Sequence, residues 1–222
     1  MRLAKPEGED KETARIEAFS DGVYAIAVTL LVLEIHVPKL EDVDKVGGLA
    51  TALMHQWPGY VSYMISFLSI LIMWINHHKL FQLVRRKDHN LMVLNGLLLM
   101  GITLIPWPTA LLADYLLTPY AKTAAVVYAG SYLLIAVFYN LLWRHICSHL
   151  LRHDHDIMNT NAMDRQYNIG LCVYALVFVI AFFSPMASVI VNLMLAMFFA
   201  LPEHMVARVT GHQRTNGGAN PK

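Results

Sequence analysis

Arg15, Glu17, Ser20 and Asp21 crowd the start of a long apolar run, RIEAFSDGVYAIAVTLLVLEIHV at residues 15–37, and Glu34 stands near its end. Charge in such a run is costly unless it is paired or wet, so these side chains need partners on other elements or contact with water and ions. Arg15 and Asp21 are six residues apart, too far for an i,i+4 pair, so each calls for a partner on another helix. A second polar group, Trp74, Asn76, His77 and His78 in WINHHKLF, ends a second apolar run, and Asn95 lies early in a third. Either histidine could donate to Asp21 or meet the acid that pairs with Arg15. Trp74 could join them or only anchor the span at the interface, and Asn95 could join them or make an isolated helix–helix hydrogen bond. Other chemistry finds less support. A metal held by His77 and His78 lacks a third ligand at suitable spacing. Ser20 with His77 could be nucleophile and base, but no acyl-transfer motif surrounds them. No CxxC or HExxH occurs, and Cys147 and Cys172 suit packing better than a disulfide. The expectation is therefore no enzyme, no metal and no cofactor.

These residues must be positioned by elements that live in lipid. Of the 222 residues, 56% are hydrophobic and only 15% charged, well below the charged share of a soluble domain. Apolar segments run over approximately 16–37, 58–78, 89–111, 120–143, 167–184 and 187–201. A span needs about 20 residues. The chain reads as an all-α integral membrane protein of six transmembrane helices, the last two forming a tight hairpin around Ser184, Pro185 and Met186. Five spans with an interfacial helix is the alternative. The sixth segment is short and could continue past Pro202. Pro106 and Pro108 should bend the third span or end its regular helix early.

Lysine and arginine orient the spans. Lys79, Arg85, Arg86 and Lys87 follow span two, Arg144, Arg152 and Arg165 flank the histidine-rich connection after span four, and Arg208, Arg214 and Lys222 lie in the tail. The other connections hold Lys39 and Lys45 with three acids, or Lys122. Both termini are thus expected in the cytoplasm. Residues 1–14 form a cytoplasmic segment, 15–206 one membrane domain and 207–222 a tail, with disorder expected over the first dozen residues and from Gly211 onward. A net charge of +1 and no long basic run give no reason to expect nucleic acid.

Within span one, Ile26, Leu30 and Leu33 share a stripe. Gly22, Ala25 and Ala27 permit close helix contact, and Thr29 lies nearby. One reading is a pore in which one such helix from each subunit surrounds an axis and the aliphatic side chains narrow the path. The other is that the stripe faces lipid or a neighbouring helix.

Arg15 followed by Phe19-Ser20-Asp21 resembles the signature of the transmembrane protein 175 family of potassium channels. The likeness continues through AIAVTLLVLEIHVP, the Trp74 to His78 segment and LLLMGITLIPWPT with Pro106 and Pro108. The resemblance implies a homotetramer for a single-repeat chain of this length, in a bacterial inner membrane, with the first helix lining a central pore. It implies a hydrophobic constriction at Ile26 with further rings at Leu30 and Leu33, and an association of Thr29 with potassium preference. It also implies a structural network of Arg15, Phe19, Ser20, Asp21, Trp74 and His77 or His78, with potassium and other monovalent cations as the passing ions and membrane lipid as the surroundings.

The mechanism expected is passive potassium conduction with modest rejection of sodium, by partial dehydration at an aliphatic ring instead of a carbonyl cage. Glu34 and the acids at 41, 42 and 44 would concentrate cations at the outer mouth. Asp21→Asn is expected to harm folding or assembly, and Ile26→Asn or Ile26→Gly to leave the tetramer intact and increase leak. The chief rival is a secondary transporter. That would need discontinuous helices in an inverted repeat, and the prolines of span three have no visible mate.

Overall fold

A computed structural model describes residues 7–84, 86–150 and 157–200, with side chains over 13–84, 86–150 and 163–197. Arg85, Arg152, His153, His155, Pro202, Glu203, Arg208, Arg214, Lys222 and the 207–222 tail lie outside the described residues. The described chain is all helical apart from its connections. Helix α1 runs over Glu7–Leu30 and tightens into a 3-10 turn at Leu31–Glu34. Two short helices follow on one end of the bundle, α2 at Leu40–Lys45 and α3 at Leu49–His55. The long α4 occupies Trp57–Phe81, and the third apolar segment is split into α5, His89–Leu104, and α6, Pro106–Tyr115. Helices α7, Ala121–His149, α8, Ile157–Phe183, and α9, Pro185–Ala200, complete the order.

Five of these stretches are long and apolar enough to cross a membrane: Thr13–Glu34, Trp57–Phe81, His89–Tyr115, Ala121–His149 and Met163–Phe183. The sixth apolar helix, α9, has 16 residues. At 1.5 Å per residue it reaches about 24 Å, short of a hydrocarbon core of about 30 Å. This is an all-α, multi-pass membrane fold. One expectation needs correction. Helix α1 starts at Glu7, inside the stretch expected to be disordered, because EGEDKETA combines good helix formers with acids near the helix N-terminus.

The core is a single cluster in which α7 packs against α5, α6, α8 and α9, while α4 packs against α1, α6 and α9. Trp143, Tyr128, Tyr132, Ile65, Leu98 and Ile102 are fully buried there. Gly101 lets α5 approach α7, since a Cβ at that position would stand 2.9 Å from Ile135 Cγ1. The bend between α5 and α6 follows from Pro106 and Pro108, which lack backbone N–H donors. Thr109 restores bonding there, with both its backbone N–H (3.1 Å) and its hydroxyl (2.8 Å) donating to the Ile105 carbonyl.

Asp88 fixes the start of α5. Its side chain accepts from the Leu91 N–H at 2.7 Å as an N-cap, and from His145 Nε2 on α7 at 2.8 Å. Partial burial pushes the Asp88 carboxyl up. The Leu91 N–H, the His145 hydrogen bond and the charges of His145 and His149 outweigh that and hold it below the usual carboxylate range. A carboxylate depressed on folding stabilises the fold at neutral pH, and that contribution is lost only as pH falls through the lowered value. Asp88→Ala is expected to lower stability by about 1 kcal/mol at pH 7 through loss of the cap, read as a drop in unfolding temperature in detergent. Asp88→Asn, an equally good cap, should recover most of it.

Candidate functional site

The faces of α1 are sharply different. Ser20, Tyr24, Ala27 and Leu31, spaced four, three and four residues apart, are all buried against the rest of the subunit. The opposite face carries Arg15, Ala18, Phe19, Gly22, Ala25, Ile26, Thr29, Leu30 and Leu33, and every one of them is exposed. Phe19 and Leu33 are each 68% exposed and Ile26 58%. The Thr29 hydroxyl donates to the Ile26 carbonyl at 2.9 Å, so its own proton is held by the helix while its oxygen remains on the outward face. Gly22 on this face meets nothing that a Cβ would touch within the subunit. Its small size therefore serves no contact inside the chain.

In the first half of α1 its inward residues are tied to α4 and α5 by a directed set of hydrogen bonds. Trp74 Nε1 donates to Asp21 Oδ1 at 2.9 Å. Ser20 donates its hydroxyl proton to the Ile16 carbonyl at 2.9 Å and accepts from Asn95 Nδ2 at 3.0 Å. With Asn95 Nδ2 so used, its Oδ1 faces His77 Nε2 at 2.9 Å, which makes Nε2 the protonated nitrogen. His77 is fully buried, its ring stacks on Phe81 with centroids 4.4 Å apart, and its Nδ1 has no hydrogen-bond partner. The neighbouring His78 points elsewhere, with Nδ1 2.5 Å from Glu17 Oε1 and Nε2 3.0 Å from Gln82.

The structure thus brings together Ser20, Asp21, Trp74, His77 and Asn95, and gives His78 a separate partner in Glu17. It does not bring Arg15 or Phe19 into this set. Arg15 has no ion pair or hydrogen bond with a described residue, but it and Phe19 line a cavity of about 440 Å³ with Asn95 of that set and with Lys87, Met92 and Leu99. Asp21 takes a neutral indole donor instead of an arginine or a histidine. An asparagine at 21 could keep that acceptor, so the harm expected of Asp21→Asn would come from the lost charge and not from the Trp74 bond.

At the other end, Glu34, His36, His55, Gln56 and Asp114 line a cavity of about 300 Å³, with His36 Nδ1 3.9 Å from Asp114 Oδ1. Glu41, Asp42 and Asp44 are exposed on α2, and Asp42 pairs with Lys45 at 3.1 Å. Among the described residues no group of three His, Cys, Asp or Glu side chains could hold a metal.

Two polar clusters are not foreshadowed by the sequence pattern. Tyr24 on α1 meets Tyr139 on α7, hydroxyl to hydroxyl, at 2.6 Å. Ser66 joins Thr109 at 2.7 Å and Tyr128 at 2.9 Å. Tyr24 could have been found from its place four residues after Ser20, on the same face. Nothing in the local sequence marks Tyr139 or Tyr128 apart from other aromatic residues of a span.

Comparison with known proteins places these features in a family. Residues 15–106 match the family described as endosomal/lysosomal potassium channel TMEM175. A potassium channel of Chamaesiphon minutus is 50% identical over 195 residues, covering 87% of this chain and 96% of that protein. One from Streptomyces collinus is 43% identical over 191 residues, covering 85% of this chain and 91% of that protein. The crystal structure of a lysosomal potassium-selective channel TMEM175 homolog from Chamaesiphon minutus superposes with a TM-score of 0.80 at 49% identity, covering 86% of this chain and 97% of that one.

Proposed function

Because the chain belongs to the TMEM175 family of potassium channels, we propose that it conducts potassium passively through a pore lined by α1. It is a channel protein and not an enzyme. The observation that carries the pore reading is the outward face of α1. An unbroken exposed stripe from Arg15 to Leu33 combines small residues, an arginine with no partner among the described residues and a ladder of aliphatic side chains along α1 and the turn that ends it. Gly22 has no neighbour inside the subunit to make room for, and copies of α1 around an axis account for it. Gly22 and Ala25 allow close approach, and Arg15 meets water or a neighbouring copy.

Four copies make the ring. Ile26 forms its narrowest point, with Leu30 and Leu33 as further rings toward the outer mouth and the Thr29 oxygen between them as the polar group beside the path. An aliphatic ring dehydrates the ion without replacing its water, so potassium, the more weakly hydrated cation, passes more readily than sodium and the preference is modest. Ser20, Asp21, Trp74, His77 and Asn95 hold the helix at its rotation. Glu34 with Asp114, and the acids of α2, draw cations to the outer entrance, an attraction that salt weakens. The assembly sits in the bacterial plasma membrane with both termini in the cytoplasm, an orientation supported by Lys79, Arg86, Lys87 and Arg144 near one end of the bundle.

Purified protein in planar bilayers under potassium/sodium bi-ionic conditions tests the reading. Unitary currents with a reversal potential displaced toward potassium are expected. Saturable uptake coupled to a counter-ion, without unitary currents, would show a transporter instead.

A further inference from the structure

Hydrogen bonds hold α1 to the rest of the subunit at two levels. The first level is the set around Ser20 and Asp21. The second lies one helical turn further on, where the Tyr139 hydroxyl donates to the Met73 carbonyl at 2.6 Å. With its own proton so used, the Tyr139 oxygen accepts from Tyr24 at 2.6 Å, and the Tyr24 hydroxyl also lies 3.5 Å from the same Met73 carbonyl. Tyr24 and Tyr139 are 2% and 6% exposed. Beyond Tyr24 the inward face of α1 offers only Ala27 and Leu31, which pack but make no side-chain hydrogen bond. Tyr24 is therefore the last directional tether on α1 before Ile26, two residues away and on the opposite face.

We propose that Tyr24 and Tyr139 form a clamp that sets the rotation of α1 at the constriction, making both positioning residues for ion selection. The clamp rests on the reading of α1 as the pore helix. Apolar contacts at Ala27 and Leu31 resist separation of the helices but tolerate rotation, whereas a hydroxyl pair fixes direction as well as distance. With side-chain tips about 5–6 Å from a helix axis, a turn of roughly 20° moves the end of Ile26 by about 2 Å. That is enough to change how much water an ion must shed. Tyr139 also borders a cavity of about 90 Å³ lined by Ser69, Asn76, Tyr167 and Tyr174.

The test measures potassium/sodium permeability ratios in planar bilayers for Tyr24→Phe, Tyr139→Phe and the double variant, each checked as the intact oligomer by size-exclusion chromatography. Each single variant is expected to move the ratio toward unity by about two- to threefold, the size expected of one interhelical hydrogen bond of ordinary membrane strength. The double variant should go no further. Tyr128→Phe is the control, an equally buried tyrosine whose described hydrogen bonds go to Ser66 and Tyr132 and not to α1, and should leave the ratio unchanged while lowering the unfolding temperature. If Tyr24→Phe does not assemble, Tyr139→Phe, off the pore helix, decides the question alone. A wild-type ratio in the clamp variants, or an equal shift in Tyr128→Phe, overturns the clamp. Ile26→Asn separates the two claims. If it alters permeation while the clamp variants do not, the clamp alone falls; if it too leaves permeation untouched, the pore reading falls with it.

Discussion

Ile26→Asn is expected to raise potassium and sodium flux by about tenfold and to bring their ratio near unity. The side chain is 58% exposed in the subunit, so its replacement opens no cavity in the core. No described hydrogen bond depends on it beyond the backbone carbonyl that serves Thr29. On the proposed pore reading, what changes is the wetting of a ring of four Ile26 side chains. A ring of isoleucines resists water and makes each ion shed part of its shell, and a ring of amides supplies both donors and acceptors. A tenfold increase corresponds to about 1.4 kcal/mol off the barrier, a modest demand for exchanging several aliphatic side chains at once. Ile26→Gly should act in the same direction by widening the ring. Proteoliposome flux assays with each cation, on protein that elutes at the wild-type oligomer volume, check the result. Unchanged fluxes in both variants would rule out a constriction at Ile26 and, with it, the reading of α1 as the pore helix.

Asn95→Ala should do the largest damage to the fold, about 2–3 kcal/mol. Asn95 is 3% exposed and serves two partners, accepting from His77 and donating to Ser20. Its loss leaves a fully buried imidazole with neither nitrogen bonded, because His77 Nδ1 already lacks a partner. Ser20 suffers less, since its proton still reaches the Ile16 carbonyl. An unfolded membrane segment also finds hydrogen-bond partners, which holds the loss within the range of a single orphaned buried group even though Asn95 serves two partners. Replacing both partners, as His77→Phe with Asn95→Leu, should recover most of the loss, since no orphaned donor remains. Thermal unfolding in detergent reads both effects. Equal loss in the single and double variants would mean that packing, not hydrogen bonding, dominates at this site.

Much of this arrangement was legible in the chain. The apolar runs marked the helices, and the odd polar residues inside them, Asp21, Trp74, His77 and Asn95, are the ones that meet in space. Their cost in lipid makes such residues stand out. The choice between His77 and His78 was not legible. Adjacent helical residues point about 100° apart, and which one turns inward depends on the rotation of α4, set by packing of Ile65, Ile70 and Leu80. Arg15 was expected to have a partner, and within one subunit it has none among the described residues. Its position supplies the reason, since the residues of its own chain that share its cavity, Lys87, Met92, Asn95 and Leu99, include no acid to pair with it. The Tyr24–Tyr139 pair was missed because a tyrosine in an apolar run carries no charge and no periodic signal of its own.

The interruption of the third span at Ile105 and Pro106 divides a labour that an unbroken helix would have to do alone. On one side of it α5 packs against α1, and on the other α6 packs against the 3-10 turn that ends the same segment. The family match also stops at Pro106. A joint placed there lets the two supports be altered separately. A change in α6 can reshape its contact with the 3-10 turn without disturbing the hydrogen bonds that Asn95 makes from α5. The proline is thus a point of modularity as well as a bend.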